Sequence, residues 1–262
     1  METVYIVVAL VAVIASLLTF FSGFGLGTIL LPAFAFFFPL DLSVALTAIV
    51  HLSNNLFKFA LMRKHVNWKV VLAFGIPAIL MAILGAHLLT LLGGFQEAAY
   101  SYEFREYHFS VSYLAALMGS LLIFFAFFEL LVPKKSEGKS HLILGGSLSG
   151  FFGGLSGHQG ALRSIFLLRQ GLSRDVFVAT GIAIACAVDL GRLTVYGLEM
   201  QARLAEANLT VLLVAVLAAF LGALLGKRFL KKATIRTIQL MVTALLVVIG
   251  FAMLAGLVGQ PG

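Results

Sequence analysis

The sequence predicts an all-α integral membrane protein of about eight apolar segments, and three observations point there. Hydrophobic residues make up 61% of the chain and charged residues 11%, against a charged share of about 25% in soluble globular domains. The apolar residues come in runs approaching the roughly 20 that a helix needs to cross a bilayer. The runs are apolar on every side and rich in Leu, Ala, Val and Phe, without the two-residue alternation of a transmembrane barrel.

In chain order, the run Val4 to Phe21 comes first. It has Glu2 and no basic residue ahead of it, and it passes into a glycine motif without a small-residue cleavage site. It is therefore expected to be a membrane segment and not a signal peptide. Leu42 to Leu61, Val70 to Leu92 and Val111 to Val132 are three further spans. Pro133 to Lys139 is a charged, turn-forming stretch, so residues 133–140 are read as a cytoplasmic linker between a first unit, 1–132, and a second, 141–262. The second unit holds Leu142 to Leu168, apolar but interrupted by glycine, then Val176 to Tyr196, Leu209 to Gly226 and Ile238 to Val258.

The two units look related. Ser22-Gly23 and Ser156-Gly157, Asn55 and Asp189, and Lys58 and Arg192 are all separated by the same 134 positions, as expected of a duplicated unit. Lysine and arginine at 63, 64 and 69, at 134, 135 and 139, and at 227–236 mark cytoplasmic loops, while the loops around Glu97–Glu106 and Glu199–Glu206 are external. The basic loop after Leu61 then aligns with the acidic one after Tyr196, so the units should be inverted relative to each other. That requires an odd number of crossings between those loops. Leu142 to Leu168 supplies it as a hairpin that enters and leaves by one face, broken at Gly153-Gly154-Leu155-Ser156-Gly157.

The net charge of +7 lies in short clusters between spans, which fits loop retention and not nucleic acid. A single cysteine, Cys186, forms no intramolecular disulfide and is read as a packing residue. No metal-spaced His/Glu set, paired carboxylates or serine nucleophile elbow is present, so no enzyme activity, metal or cofactor is expected.

A helix interrupted inside the membrane frees backbone N–H groups that lipid cannot satisfy. The half-helix that follows presents them, with partial positive charge, to an anion. Candidate ligand-binding residues are therefore Ser22, Gly23, Gly25 and Gly27 at the first break and Ser156, Gly157, His158, Gln159 and Gly160 at the second. The alternative for each glycine is close helix packing. Ionisable residues inside spans are costly, which adds Lys58, Arg163 and Arg192. Arg163 lies one turn into the half-helix, placed either to clamp an anion or to pair with Asp189. Lys58 and Arg192 lie toward span ends, where snorkelling to the interface is the competing explanation. Asp189 and Arg192 are spaced to meet on one helix face, as are His51 and Asn55. His51, His158 and Asp189 are candidates for carrying a coupled proton.

These motifs resemble the TauE/SafE family of sulfite and organosulfonate exporters over most of the chain. The resemblance runs through Ser22-Gly23-Phe24-Gly25-Leu26-Gly27 with Pro32 following, and through Gly153-Gly154-Leu155-Ser156-Gly157-His158-Gln159-Gly160. Each is followed by an Ala/Thr step, Ala45 and Thr47 or Ala179 and Thr180, and then by Asn54 and Asn55 or Asp189. The second unit departs from the family pattern, reading Gly160-Ala161-Leu162-Arg163 with no proline. The resemblance implies a multi-pass protein of the bacterial cytoplasmic membrane, exporting a small anion such as sulfite or an organosulfonate by alternating access. The alternatives are a passive anion channel and a non-transporting scaffold subunit. Expected partners are the anion and the lipid bilayer, and a homodimer stays open.

Overall fold

A computed structural model describes residues 2–19, 25–95, 97–131, 141–229 and 235–258. Its helices are α1 (Glu2–Thr19), α2 (Leu26–Ala35), α3 (Leu40–Met62), α4 (Trp68–Gly93), α5 (Tyr113–Leu131), α6 (Leu142–Ser156), α7 (Gly160–Leu168), α8 (Arg174–Glu199), α9 (Gln201–Glu206), α10 (Leu209–Phe229) and α11 (Ile235–Leu254). Strands β1 (Ala98–Phe104) and β2 (Tyr107–Ser112) form an antiparallel hairpin between α4 and α5. Among the described residues, five helices (α1, α3, α4, α8 and α10) are long and apolar enough to span a membrane, and shorter apolar helices accompany them. The chain is an all-α membrane protein in its fold class, with one small hairpin outside the helices.

The helix boundaries refine the sequence reading in three places. Residues 26–35, not counted as a segment, form α2, a fully buried ten-residue helix carrying Pro32. The interruption in Leu142 to Leu168 falls at Gly157-His158-Gln159, later than expected, because Gly153 and Gly154 remain helical in α6. The stretch assigned only as an acidic external loop is the β1–β2 hairpin. The linker 133–140 and the glycine-motif residues Ser22 and Gly23 lie outside the described residues.

Packing explains why so many glycines sit in α6. A Cβ at Gly146, Gly150 or Gly154 would lie 2.2, 2.0 and 2.0 Å from the backbone oxygens of Phe74, Ala78 and Ala82 in α4. The three glycines are spaced by four, so they line one stripe along which the backbones of α4 and α6 touch. Gly222 of α10 meets Val13 of α1 in the same way, at 2.3 Å from its carbonyl oxygen. A Cβ at Gly119 of α5 or at Gly250 of α11 would lie 2.8 Å from the carbonyl oxygen of the other.

Polar contacts fix which helix ends lie together. At one end, Asn208 Nδ2 donates to Tyr5 Oη at 3.0 Å, Arg203 pairs with Asp41, and His87 Nδ1 donates to Glu199 Oε1 at 2.7 Å. The hairpin joins this end, where Tyr102 Oη donates to the Ala255 carbonyl at 2.8 Å. At the other end, Asn67 N donates to Thr180 Oγ1 at 3.0 Å, and Val66, Leu142 and Phe177 pack against one buried cluster. Helices α3 and α8 therefore run antiparallel through the middle. The α1–α2 element starts and finishes at the first end, and the α6–α7 element at the second. Helix starts 26 and 160, and helix starts 40 and 174, are separated by the same 134 positions that relate the sequence motifs.

Candidate functional site

Both helix breaks arrive at the centre of the bundle, between α3 and α8. Gly25 caps α2 with φ 104°, and Gly157 ends α6 with φ 80°, left-handed values that favour glycine. Gly27, in the first turn of α2, has ordinary helical backbone. A Cβ there would stand 3.7 Å from Thr47 Cγ2, 3.8 Å from His51 Cδ2 and 3.8 Å from the Gly157 carbonyl oxygen. The first turn of α2, the middle of α3 and the second break therefore share one small space, with the guanidinium of Arg192 beside Gly157.

Asp189 is the hub of the polar residues there. Its Oδ2 accepts from His51 Nδ1 at 2.6 Å. Its Oδ1 accepts from Gln159 Nε2 at 3.0 Å, Arg192 Nε at 3.0 Å and Arg192 Nη2 at 2.7 Å. Three of these donors share Oδ1 and one takes Oδ2, which keeps a second acceptor position. Around it, Asn55 Nδ2 donates to His51 Nε2 at 3.3 Å, Arg163 Nη1 donates to Gln159 Oε1 at 3.1 Å, and Arg192 Nη1 donates to the Gly153 carbonyl at 3.2 Å. Tyr196 donates to the Gly154 carbonyl, and Ser149 Oγ to the Gln159 carbonyl at 2.8 Å.

The candidate residues named from sequence thus separate by position. His51, Gln159, Arg163, Asp189 and Arg192 form one network, with Asn55 attached through His51. Arg163 reaches Asp189 through Gln159. Asp189, Arg192 and Arg163 are 0%, 1% and 2% exposed, so neither arginine snorkels to an interface. Lys58 is also buried, one turn beyond Asn54 and Asn55. Its Nζ donates at 3.0 Å to the Asn54 side-chain oxygen, whose amide nitrogen donates in turn to the Ala219 carbonyl at 3.3 Å. Lys58 thus belongs to a second polar cluster, between α3 and α10. Gly160 opens α7, and its carbonyl accepts from Ser164 Oγ at 2.8 Å.

His158 occupies the break itself. Its ring stacks on Phe125 at 5.2 Å and 6°, and its Nδ1 lies 3.0 Å from Ser156 Oγ. Sequence reasoning did not single out Tyr196 or Ser149 as members of this region. Tyr196 stands seven residues beyond Asp189, two turns along the same helix face, a spacing that pointed to it.

The chemistry open to this arrangement is electrostatic. Two buried guanidinium groups and one carboxylate lie in this network, beside the first turns of α2 and α7, and guanidinium groups with free helix N-terminal N–H groups are donors suited to an anion. Among the described residues no three His, Cys, Asp or Glu side chains come together to hold a metal ion.

No curated protein and no solved structure matches the chain. The family model of the sulfite exporter TauE/SafE matches residues 8–253, from within α1 to the last turn of α11, and the chain therefore belongs to this family of membrane transport proteins.

Proposed function

We propose that the protein is a secondary transporter that moves a small anion, sulfite or an organosulfonate or related sulfur oxyanion, outward across the bacterial cytoplasmic membrane by alternating access. The observation that carries this reading is the buried network around Asp189, which holds two guanidinium groups where the start of α2 meets the break between α6 and α7. The anion sits between the starts of α2 and α7. Backbone N–H groups of their first turns and the Arg163 guanidinium supply the donors. Gly27 keeps the approach free of a side chain.

The common offset of 134 positions and the opposite ends at which α1–α2 and α6–α7 turn back favour two inverted units, 1–132 and 141–262, joined by the cytoplasmic linker 133–140. One unit rocks against the other around the site. His51 belongs to the first unit and Asp189 to the second, so their 2.6 Å hydrogen bond is a latch between them. A proton arriving on the Asp189 carboxylate removes the charge that strengthens the His51 bond, which couples proton uptake to release of α3 from α8.

Thermal stabilisation of the detergent-purified protein tests the anion site, because a ligand of the folded state raises apparent stability by mass action. Sulfite, sulfate, sulfoacetate, taurine, carboxylates and metal cations form the panel. Stabilisation by one anion class, lost in Arg163→Ala, supports the reading, and stabilisation by cations alone overturns it. Counterflow in proteoliposomes, with preloaded anion accelerating uptake, separates a carrier from a passive channel.

A further inference from the structure

Two buried polar atoms beside the breaks have no hydrogen-bond partner among the described residues: His158 Nε2 and Thr47 Oγ1. His158 is 3% exposed and Thr47 2%. A buried polar atom left unpaired costs free energy comparable to a lost hydrogen bond, and native structures keep few of them. Both residues border the space described above: a Cβ at Gly27 would stand 3.7 Å from Thr47 Cγ2 and 3.8 Å from the carbonyl oxygen of Gly157, the residue before His158.

The hydrogen-bond network fixes the kind of group His158 presents. The Ser156 hydroxyl has one proton, and it is donated to the Phe152 carbonyl at 3.0 Å. The 3.0 Å contact between Ser156 Oγ and His158 Nδ1 therefore has the imidazole as donor. In the neutral ring Nδ1 then carries the hydrogen and Nε2 is an acceptor. Stacking against Phe125 holds the ring in that orientation. An anion with no hydrogen of its own has nothing to offer this nitrogen. Its oxygens would face a lone pair.

We infer that His158 Nε2 selects anions that carry their own O–H or N–H beside the charged head, and that it receives that hydrogen while Thr47 Oγ1 donates to an anionic oxygen. This rests on the anion-transport reading and narrows its substrate class to hydroxyl- or ammonium-bearing sulfonates and hydrogen-bearing oxyanions. Sulfonates without a donor are held by the same cations and backbone groups but leave His158 unpaired.

A matched pair of probes tests this: 2-hydroxyethanesulfonate against ethanesulfonate, which differ by one hydroxyl. Affinities come from thermal stabilisation titrations of the intact protein in detergent. The expected result is binding of the hydroxylated probe at least about fivefold tighter, the scale of one buried acceptor satisfied or left unpaired. In His158→Phe, which keeps an aromatic ring against Phe125, the two probes should bind within about twofold of each other, with ethanesulfonate affinity retained. Equal binding of both probes by the unaltered protein, binding of neither, or a preference that survives in His158→Phe overturns the inference. If His158→Phe does not fold, the preference of the unaltered protein decides alone. Stabilisation by sulfite without the hydroxyl preference leaves the transport reading standing and removes only this one, whereas stabilisation by no anion removes both.

Discussion

Replacing Asp189 with asparagine removes one charge from the centre of the bundle and nearly nothing from its volume. In the unaltered protein the carboxylate accepts one hydrogen bond from His51, one from Gln159 and two from Arg192, and it is fully buried. An asparagine has one oxygen in place of two and turns an NH2 toward groups that are themselves donors. Arg192, 1% exposed, loses the carboxylate it pairs with while its neighbour Arg163 remains. Breaking a buried ion pair by removing one member costs about 3–5 kcal/mol. At about 2–4 °C per kcal/mol for a chain approaching this size, Asp189→Asn should melt roughly 6–20 °C below the unaltered protein. Fluorescence-detected size exclusion after heating in detergent reads the midpoint. The loss should persist at high salt, because buried pairs are screened much less than exposed ones. Arg192→Gln should be similarly damaged, whereas the double variant, with both charges gone, should melt above the sum of the two losses. An Asp189→Asn midpoint within about 3 °C of the unaltered protein, or strict additivity of the pair, would refute the view that Asp189 neutralises buried cations.

Four further substitutions separate stability from function. Gly27→Ala meets only ordinary contacts of 3.7–3.8 Å in a residue with helical backbone, so its melting point should hold or rise slightly. Its methyl group lies between Thr47, His51 and Gly157, however, and anion efflux should fall at least about tenfold, the effect of roughly 1.4 kcal/mol at the site. Gly150→Ala places a methyl 2.0 Å from the Ala78 oxygen and should abolish the monodisperse size-exclusion peak. Gly197→Ala in the same assay, with nothing within 4 Å, should not. Tyr196→Phe removes the donor to the Gly154 carbonyl and should cost about 0.5–1.5 kcal/mol, read as a midpoint a few degrees lower with the anion selectivity unchanged.

The sequence exposed the long spans and the i, i+3 partnership of Asp189 with Arg192, because both depend on local periodicity. It misplaced the second break because Gly153, Gly154 and Gly157 are equally permissive on their own. Gly154 packs on Ala82 and Ala86 of α4, about 70 residues away in the chain, and Gly153 on Val188 of α8, contacts that local reading does not reveal. Helix α2 was invisible to a criterion of about 20 apolar residues, since its ten are buried by protein and need not span lipid. The β1–β2 hairpin was legible and overlooked: Tyr100, Tyr102 and Phe104 alternate with smaller or polar residues, and so do Tyr107, Phe109 and Val111. The pairing of His51 with Asp189, 138 residues apart, was beyond local reading, since it depends on α3 and α8 crossing antiparallel.

The division of the central network between the two sequence units bears on what a rocking motion would cost. Arg192 and Asp189 share α8, and Gln159, Arg163 and the Gly153 carbonyl all belong to the same second unit. Separating α3 from α8 leaves every one of those bonds in place. Of the hydrogen bonds described around Asp189, only the one from His51 would break, while Asn55 would travel with His51 on α3. A hydrogen bond to a charged group is worth about 1.5–3 kcal/mol, within the free energy that micromolar anion binding supplies, about 8 kcal/mol. Had the carboxylate been on α3 and its arginine on α8, the same motion would have torn apart a buried ion pair at about 3–5 kcal/mol. Keeping the ion pair within one helix leaves His51 as the one described donor from α3 to Asp189, so the central network would part there without breaking the ion pair.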